Sequence, residues 1–187
     1  MSSADTGSGR HRILVVLADP ETVAASLSCA VAAALGPDTP ILATHVGYQA
    51  ASGAMSDEEV DIQGLRELAE GKPAERLARV RAAFDAWVEV ASGRERISWR
   101  DCAGDIEACI QAESADSDLI VIGRPVHLDG RDALHAALFR AGRLVLVAPP
   151  AIGEGGLVLG RHILVGWKPC PHAQHAVEAA LPWLHAA

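Results

Sequence analysis

Aromatic residues make up only 4% of this 187-residue chain. Any core it builds must therefore be aliphatic and rich in alanine. Positive charge is also scarce: 16 Lys and Arg stand against 24 Asp and Glu, for a net charge of −8. Lys72 and Lys168 are the only lysines. A chain this acidic lacks the concentrated basic face that nucleic acid requires. It is equally unsuited to an anionic membrane surface. Long hydrophobic runs are missing too. Ile13 to Ala18 is a short apolar run, and no stretch approaches the ~20 strongly apolar residues that span a bilayer. Thr22 to Pro37 is uncharged, but it is mostly Ala and Ser and ends in Gly36-Pro37. Met1 to Arg12 is polar and lacks the apolar region of a secretory signal. A cytoplasmic location is the expectation. The four cysteines (Cys29, Cys102, Cys109, Cys170) show no CxxC spacing, and in that compartment they are expected as reduced thiols. Cys102 and Cys109 are expected on one helix face, as small hydrophobes. With 50% hydrophobic and 21% charged residues, the chain is neither disordered nor collagen-like nor a disulfide mini-protein.

What remains is an alternation of strand and helix. Arg12 to Leu17 is a continuous apolar run, the pattern of a parallel strand buried on both faces. Asp19-Pro20-Glu21 reads as an N-cap, a first-turn proline and a first-turn acid, opening a helix that Gly36-Pro37 stops. Ile41 to His45 reads as a second strand. After a small-residue loop, Tyr48 to Met55, the capping box Ser56 to Glu59 opens a helix carrying Val60, Leu65 and Leu68. Gly71-Lys72-Pro73 interrupts it, and helical spacing resumes with Leu77, Val80, Phe84, Trp87 and Val88. Arg96 to Arg100 alternates polar and apolar, as an edge strand does. Asp105 to Glu113 is a short helix, and Asp118 to Gly123 a buried strand. A helix over Arg131 to Arg140 precedes a fifth strand, Arg143 to Ala148, which Pro149-Pro150 ends. Five strands with helical crossovers predict an α/β doubly wound parallel sheet. Its ligand crevice lies beyond the carboxyl ends of the strands. That rule gathers Asp19, His45, Val46, Gly47, and Gly123 to Gly130 around any small-molecule site.

The register of Arg10 to Leu17 returns in Arg161-His-Ile-Leu-Val-Gly-Trp167, at an offset of 150. The chain thus divides into a domain over 1–150, a Gly-rich linker over 151–160, and a strand plus helix over 161–187. A lone strand and helix cannot bury their own apolar faces, so this extension needs something to dock on. Several chemistries are excluded. No Gly-x-Ser-x-Gly elbow, His-Glu-x-x-His pair or Walker loop is present. A phosphoacceptor receiver would need an acid pair after the first strand and a Lys after the fifth, where Pro149-Pro150 stands. His172 and His175 have i, i+3 spacing without a partnered third ligand, so no metal site is expected. His45 reads as an interior or rim histidine. Arg124 to Arg131 reads as a solvated loop with a helix cap at Asp129, although its two Arg and one His have the chemistry to hold an anion.

Asp118-Leu-Ile-Val-Ile-Gly-Arg-Pro125, Ala133 to Phe139, and Gly142 to Pro150 together resemble the universal stress protein family. Ile163 to Ala173 resembles the opening of a second domain in its tandem form. The resemblance implies a flavodoxin-like fold, five strands in the order 3-2-1-4-5 with helices on both faces. It also implies association through the last strand. Many members bind ATP or AMP on a phosphate loop after the fourth strand: Gly, two residues, Gly, nine residues, then Gly with Ser or Thr. Such glycines bring backbone N–H groups to the phosphates. Here Gly123 matches the first, but Val126 and Ala136-Ala137 replace the rest. The Val126 side chain is expected to obstruct the approach. The acid after the first strand comes one place late, as Asp19, and is accounted for as a helix cap. Residues that would touch a nucleotide are Asp19, His45, Val46, Gly47, Gly123, Arg124, His127 and Gly130. The implied function is a non-enzymatic, cytoplasmic stress-response module with a degenerate nucleotide site and no expected cofactor. It would act as a homodimer, or with a protein partner, through the last strand or the C-terminal extension. The alternative is an ATP- or AMP-binding member with at most slow ATP hydrolysis.

Overall fold

In the computed structural model, residues 11–49, 57–150, 159–160 and 162–186 are described. The polar start, most of the small-residue loop, the Ser56 of the expected capping box, and the first part of the Gly-rich linker lie outside them. The first apolar run forms β1 (Ile13–Leu17), every residue of which is buried. A 3₁₀ turn over Pro20–Thr22 leads into α1 (Val23–Ala33). β2 (Ile41–Tyr48), α2 (Asp57–Glu70) and α3 (Pro73–Val90) follow. Then come β3 (Ile97–Gly104), α4 (Ile106–Ser114), β4 (Leu119–Gly123), α5 (Leu128–Phe139), β5 (Leu144–Ala148) and α6 (Pro171–His185).

The strands make one parallel sheet in the order β3-β2-β1-β4-β5. This is the doubly wound arrangement that alternating strands and helices predict. Successive residues of a strand face opposite sides, so the continuous apolar runs feed two cores. Ile13, Val15, Leu17, Ile41, Ala43, Leu119 and Val121 pack with Val23, Leu27 and Ala30 of α1 and with Val80 and Phe84 of α3. On the other face Leu14, Val16, Val46, Ile120 and Ile122 meet Ile106 and Ile110 of α4 and Ala133, Ala136 and Ala137 of α5. Alanine thus supplies much of what few aromatics leave unfilled.

Four sequence expectations need correction. First, residues 162–167 form no strand. The helical half of the extension is present as α6, with Pro182 inside it. Ile163, Leu164, Val165 and Trp167 lie exposed beside no strand neighbour. An apolar β-type run makes a strand only where another edge accepts its hydrogen bonds. α6 is fastened through Trp183, which packs on the core and whose indole Nε1–H donates to the Ala33 carbonyl at 2.7 Å. Second, Cys102 is not helical. β3 runs on to Gly104 because β2 runs on to Tyr48 beside it, and Cys102 is disulfide-bonded to Cys109 of α4. Third, α5 begins at Leu128 with His127 at the N-cap, so Asp129 sits in the first turn. Far from being solvated, Asp129 is buried. Fourth, α2 turns outward the leucines expected to anchor it. Leu65 and Leu68 are exposed, while Arg66 and Glu70 are buried. The inward face of α2 is polar because it covers the polar carboxyl ends of the strands.

Candidate functional site

Asp19 lies two residues beyond β1, at the point where the sheet changes winding direction. Its side chain does not cap the helix that follows. The carboxylate reaches across the crevice instead, where Oδ2 accepts the Val126 backbone N–H at 2.7 Å. The next backbone N–H, that of Leu128, donates to Glu70 Oε1 at 2.8 Å. Free N–H groups at a helix start are the ordinary seat for a phosphate. At α5 that seat is filled by two carboxylates of the chain itself. Both glycines near it are needed for close approach. A Cβ at Gly130 would overlap Asp19 Oδ2, and one at Gly123 would overlap the Thr22 side chain. Val126 is the residue whose side chain is expected to obstruct that approach. Its side chain is exposed, and its backbone N–H is taken. Ala136 and Ala137 are buried in the core beneath.

Beneath this seat lies a buried ion cluster that the sequence did not announce. Asp129 Oδ2 accepts from Arg76 Nε at 2.9 Å, and its other oxygen is ion-paired with Arg66. Arg66 also reaches Asp132 Oδ2 at 2.9 Å and stacks over the Tyr48 ring at 5.0 Å. Arg76 donates further to the Gly71 and Tyr48 carbonyls, at 2.7 and 2.9 Å. The cluster ties α2, α3, α5 and the end of β2 together. Burial alone would lower the Arg66 pKa, but Asp132 and Asp129 more than offset it and hold the group above its ordinary value. Charge pattern gave no hint of these partners, because each pair spans more than fifty residues.

The other expected site residues are scattered. His45 is buried, and its Nδ1 lies 2.7 Å from Asp101 Oδ1. Its ring stacks on Trp99, 6.3 Å between centroids, and Nε2 has no hydrogen-bond partner. Gly47 lies against the His45 ring and near Asp129. The Val46 side chain belongs to the core on the α4–α5 face. Arg124 is exposed. His127 is half-buried, with Nε2 3.5 Å from Glu21. A cavity of about 170 Å³ borders His45 and Asp101 under α3. A larger one of about 360 Å³ lies between Tyr48, Arg66, Asp105, Glu107, Asp132 and His135. Its lining mixes three acids with Arg66, His135 and apolar groups. His172 and His175 are exposed on α6, and among the described residues no group of three His, Cys, Asp or Glu side chains is placed to hold a metal ion. No helix among the described residues is long and apolar enough to cross a membrane.

No protein-family model matches the chain, and no curated protein matches it. Several solved structures resemble it. One is a crystal structure of a universal stress protein in complex with cAMP, 16% identical over 77% of this chain and 100% of that one, with a TM-score of 0.41. Another is the universal stress protein UspA from Lactobacillus plantarum, 17% identical over 76% of this chain and 99% of that one, with a TM-score of 0.46. At such values they add nothing to the strand order, which defines the fold by itself.

Burial raises the Asp19 pKa above its ordinary 3.8, against the opposing pull of the Val126 and His127 N–H groups. The folded chain therefore keeps a proton that the unfolded chain has already released. Stability from this group is greatest below 3.8 and is lost as pH rises through the raised value. Asp19→Asn removes the titration while keeping an oxygen for Val126. The stability of the wild type relative to Asp19→Asn should fall as pH climbs through that window, read from thermal melts in small pH steps. A flat or rising difference would refute it.

Proposed function

We propose that this chain is a universal-stress-type module in which protein association has replaced nucleotide binding, its phosphate seat being occupied from within. One observation carries the reading: Asp19 and Glu70 take the Val126 and Leu128 N–H groups that a phosphate would need. The segments that resemble the family fall on β4, α5 and β5, which frame that seat. A nucleotide would have to displace a buried carboxylate before its own charge could be accommodated. The action is non-enzymatic. Among the described residues His45 Nε2 has no partner, so the His45–Asp101 pair lacks the nucleophile a triad requires.

Association is supported by apolar surface. β5 has β4 as its strand neighbour on one side, and its other edge carries the exposed Val147. In the extension, Leu164 is 97% exposed and Trp167 57%. Exposed apolar groups mark an interaction surface where they are contiguous. The partner is a second copy or another protein, meeting this edge or the 161–187 extension. The setting is the cytoplasm, and neither nucleic acid nor a cofactor takes part.

Calorimetric titration with ATP, ADP and AMP, with and without magnesium, tests the first half. No binding heat is expected up to millimolar nucleotide. Asp19→Ala bares part of the seat and should gain about 1.4 kcal/mol of stability at phosphate tenfold above its Kd. Micromolar nucleotide binding by the wild type would overturn the reading. Sedimentation of the same sample tests the second half, which a clean monomer would sink.

A further inference from the structure

We propose that Cys102 and Cys109 are a reversible redox pair that sets the rigidity of one wall of the cavity beside Tyr48 and Arg66. The pair joins the carboxyl end of β3 to the first turn of α4, with Cα atoms 5.9 Å apart. It bridges elements that are already held without it. Cys102 is in register with Val46 of β2, and Asp105 caps α4 by accepting the Ala108 N–H at 2.7 Å. The bond closes a very short loop, where a cross-link restrains the unfolded chain least. Its removal therefore leaves the fold standing, unlike that of a staple between distant segments.

The two sulfurs are unequal. Cys102 is half-buried, whereas Cys109 is buried in the first turn of α4 and its Sγ also lies 3.2 Å from the Cys102 carbonyl. The less buried sulfur, Cys102 Sγ, is the point of attack, and Cys109 Sγ in the first turn of α4 is the leaving group. An external thiolate of the glutathione class attacks Cys102 Sγ. The S–S electron pair leaves on Cys109 Sγ, which then takes up a proton. A second external thiol attacks the mixed disulfide, freeing Cys102 as a thiol and forming the external disulfide. Two thiols thus supply two electrons and two protons, and a low-molecular-weight disulfide drives the reverse. Cys29, by contrast, is buried and its pKa is raised by that burial, so it stays outside this exchange.

The loop enclosed by the bond includes Asp105, Ile106 and Glu107, which line the cavity of about 360 Å³. Gly104 within it has φ +136°, a conformation open to glycine, and gives the loop a joint on which to move once the bond is cut. The inference stands apart from the phosphate seat: neither Asp19 nor Glu70 takes part in it.

The test uses the whole chain, equilibrated natively in oxidised or reduced glutathione, then acid-quenched, denatured and alkylated. Mass should show two alkylated cysteines after oxidation and four after millimolar reduced glutathione, the change mapping to the peptides of Cys102 and Cys109. Amide hydrogen exchange over 103–108 should quicken by at least about tenfold on reduction. The double variant Cys102→Ser, Cys109→Ser should exchange at the fast rate in both buffers. A bond that survives reduced glutathione until the protein unfolds would overturn the proposal, as would four alkylated cysteines after oxidation. Unchanged exchange on reduction would do the same. The wild-type measurements decide the matter even where the variant fails to fold.

Discussion

Asp129→Ala is expected to lower stability by about 3–5 kcal/mol, the usual cost of stripping a buried ion of its partner. The carboxylate is almost fully buried between Arg66 and Arg76, and both guanidiniums are buried as well. Its removal leaves two cations out of water with one fixed counter-charge at Asp132, itself half-exposed. In a chain of this size the loss corresponds to a melting point lower by on the order of 10 °C. Asp132→Ala is the control. Its pair with Arg66 opens to solvent and should cost under about 1 kcal/mol. Urea unfolding of the three proteins side by side checks the contrast. Equal losses would mean that α2 and α3 are held by their apolar contacts and that the cluster is incidental.

Gly130→Ala reverses sign with its background. In the wild type a methyl there overlaps the Asp19 carboxylate, and forcing extra volume into such a site costs about 1–3 kcal/mol. It also drives Asp19 from the Val126 N–H. In an Asp19→Ala background the space is free, and alanine in a helix is favoured over glycine by about 1 kcal/mol. The same substitution should therefore destabilise one protein and stabilise the other, a coupling of 1–3 kcal/mol or more on the scale of contacting residues, about what a double-mutant cycle resolves. Additive effects would show that the carboxylate does not sit on α5.

Much of the architecture was legible. The buried runs at Ile13–Leu17 and Leu119–Gly123 marked central strands because a strand covered on both faces has no polar side to show. Gly71 and Pro73 marked the break between two helices. The failures share one cause, since each concerns a group whose partner is remote in sequence. Asp19 followed by proline has the local signature of a cap, yet its partner is the backbone 107 residues on. Leu65 and Leu68 promise an inward face, but α2 covers a crevice lined with charge and turns Arg66 and Glu70 to it. Cys102 was assigned to a helix because the alternating pattern ends at Arg100; pairing with β2 extends the strand through less apolar residues. The run at 163–167 has strand composition and no edge to join. Gly123 and Gly130 are expected as nucleotide contacts from their place after β4, and their surroundings lie far off in sequence. A Cβ at either would overlap Thr22 or Asp19.

The place of β1 bears on how the chain is made. It is made before β2 and β4, yet it lies between them at the centre of the sheet. Its second neighbour begins at Leu119, so during vectorial synthesis five greasy residues wait with one flank bare while about a hundred more are polymerised, several seconds at ordinary elongation rates. A nascent chain of this design invites shielding by a holdase, and its yield in a cell short of such helpers should suffer well before its finished form does.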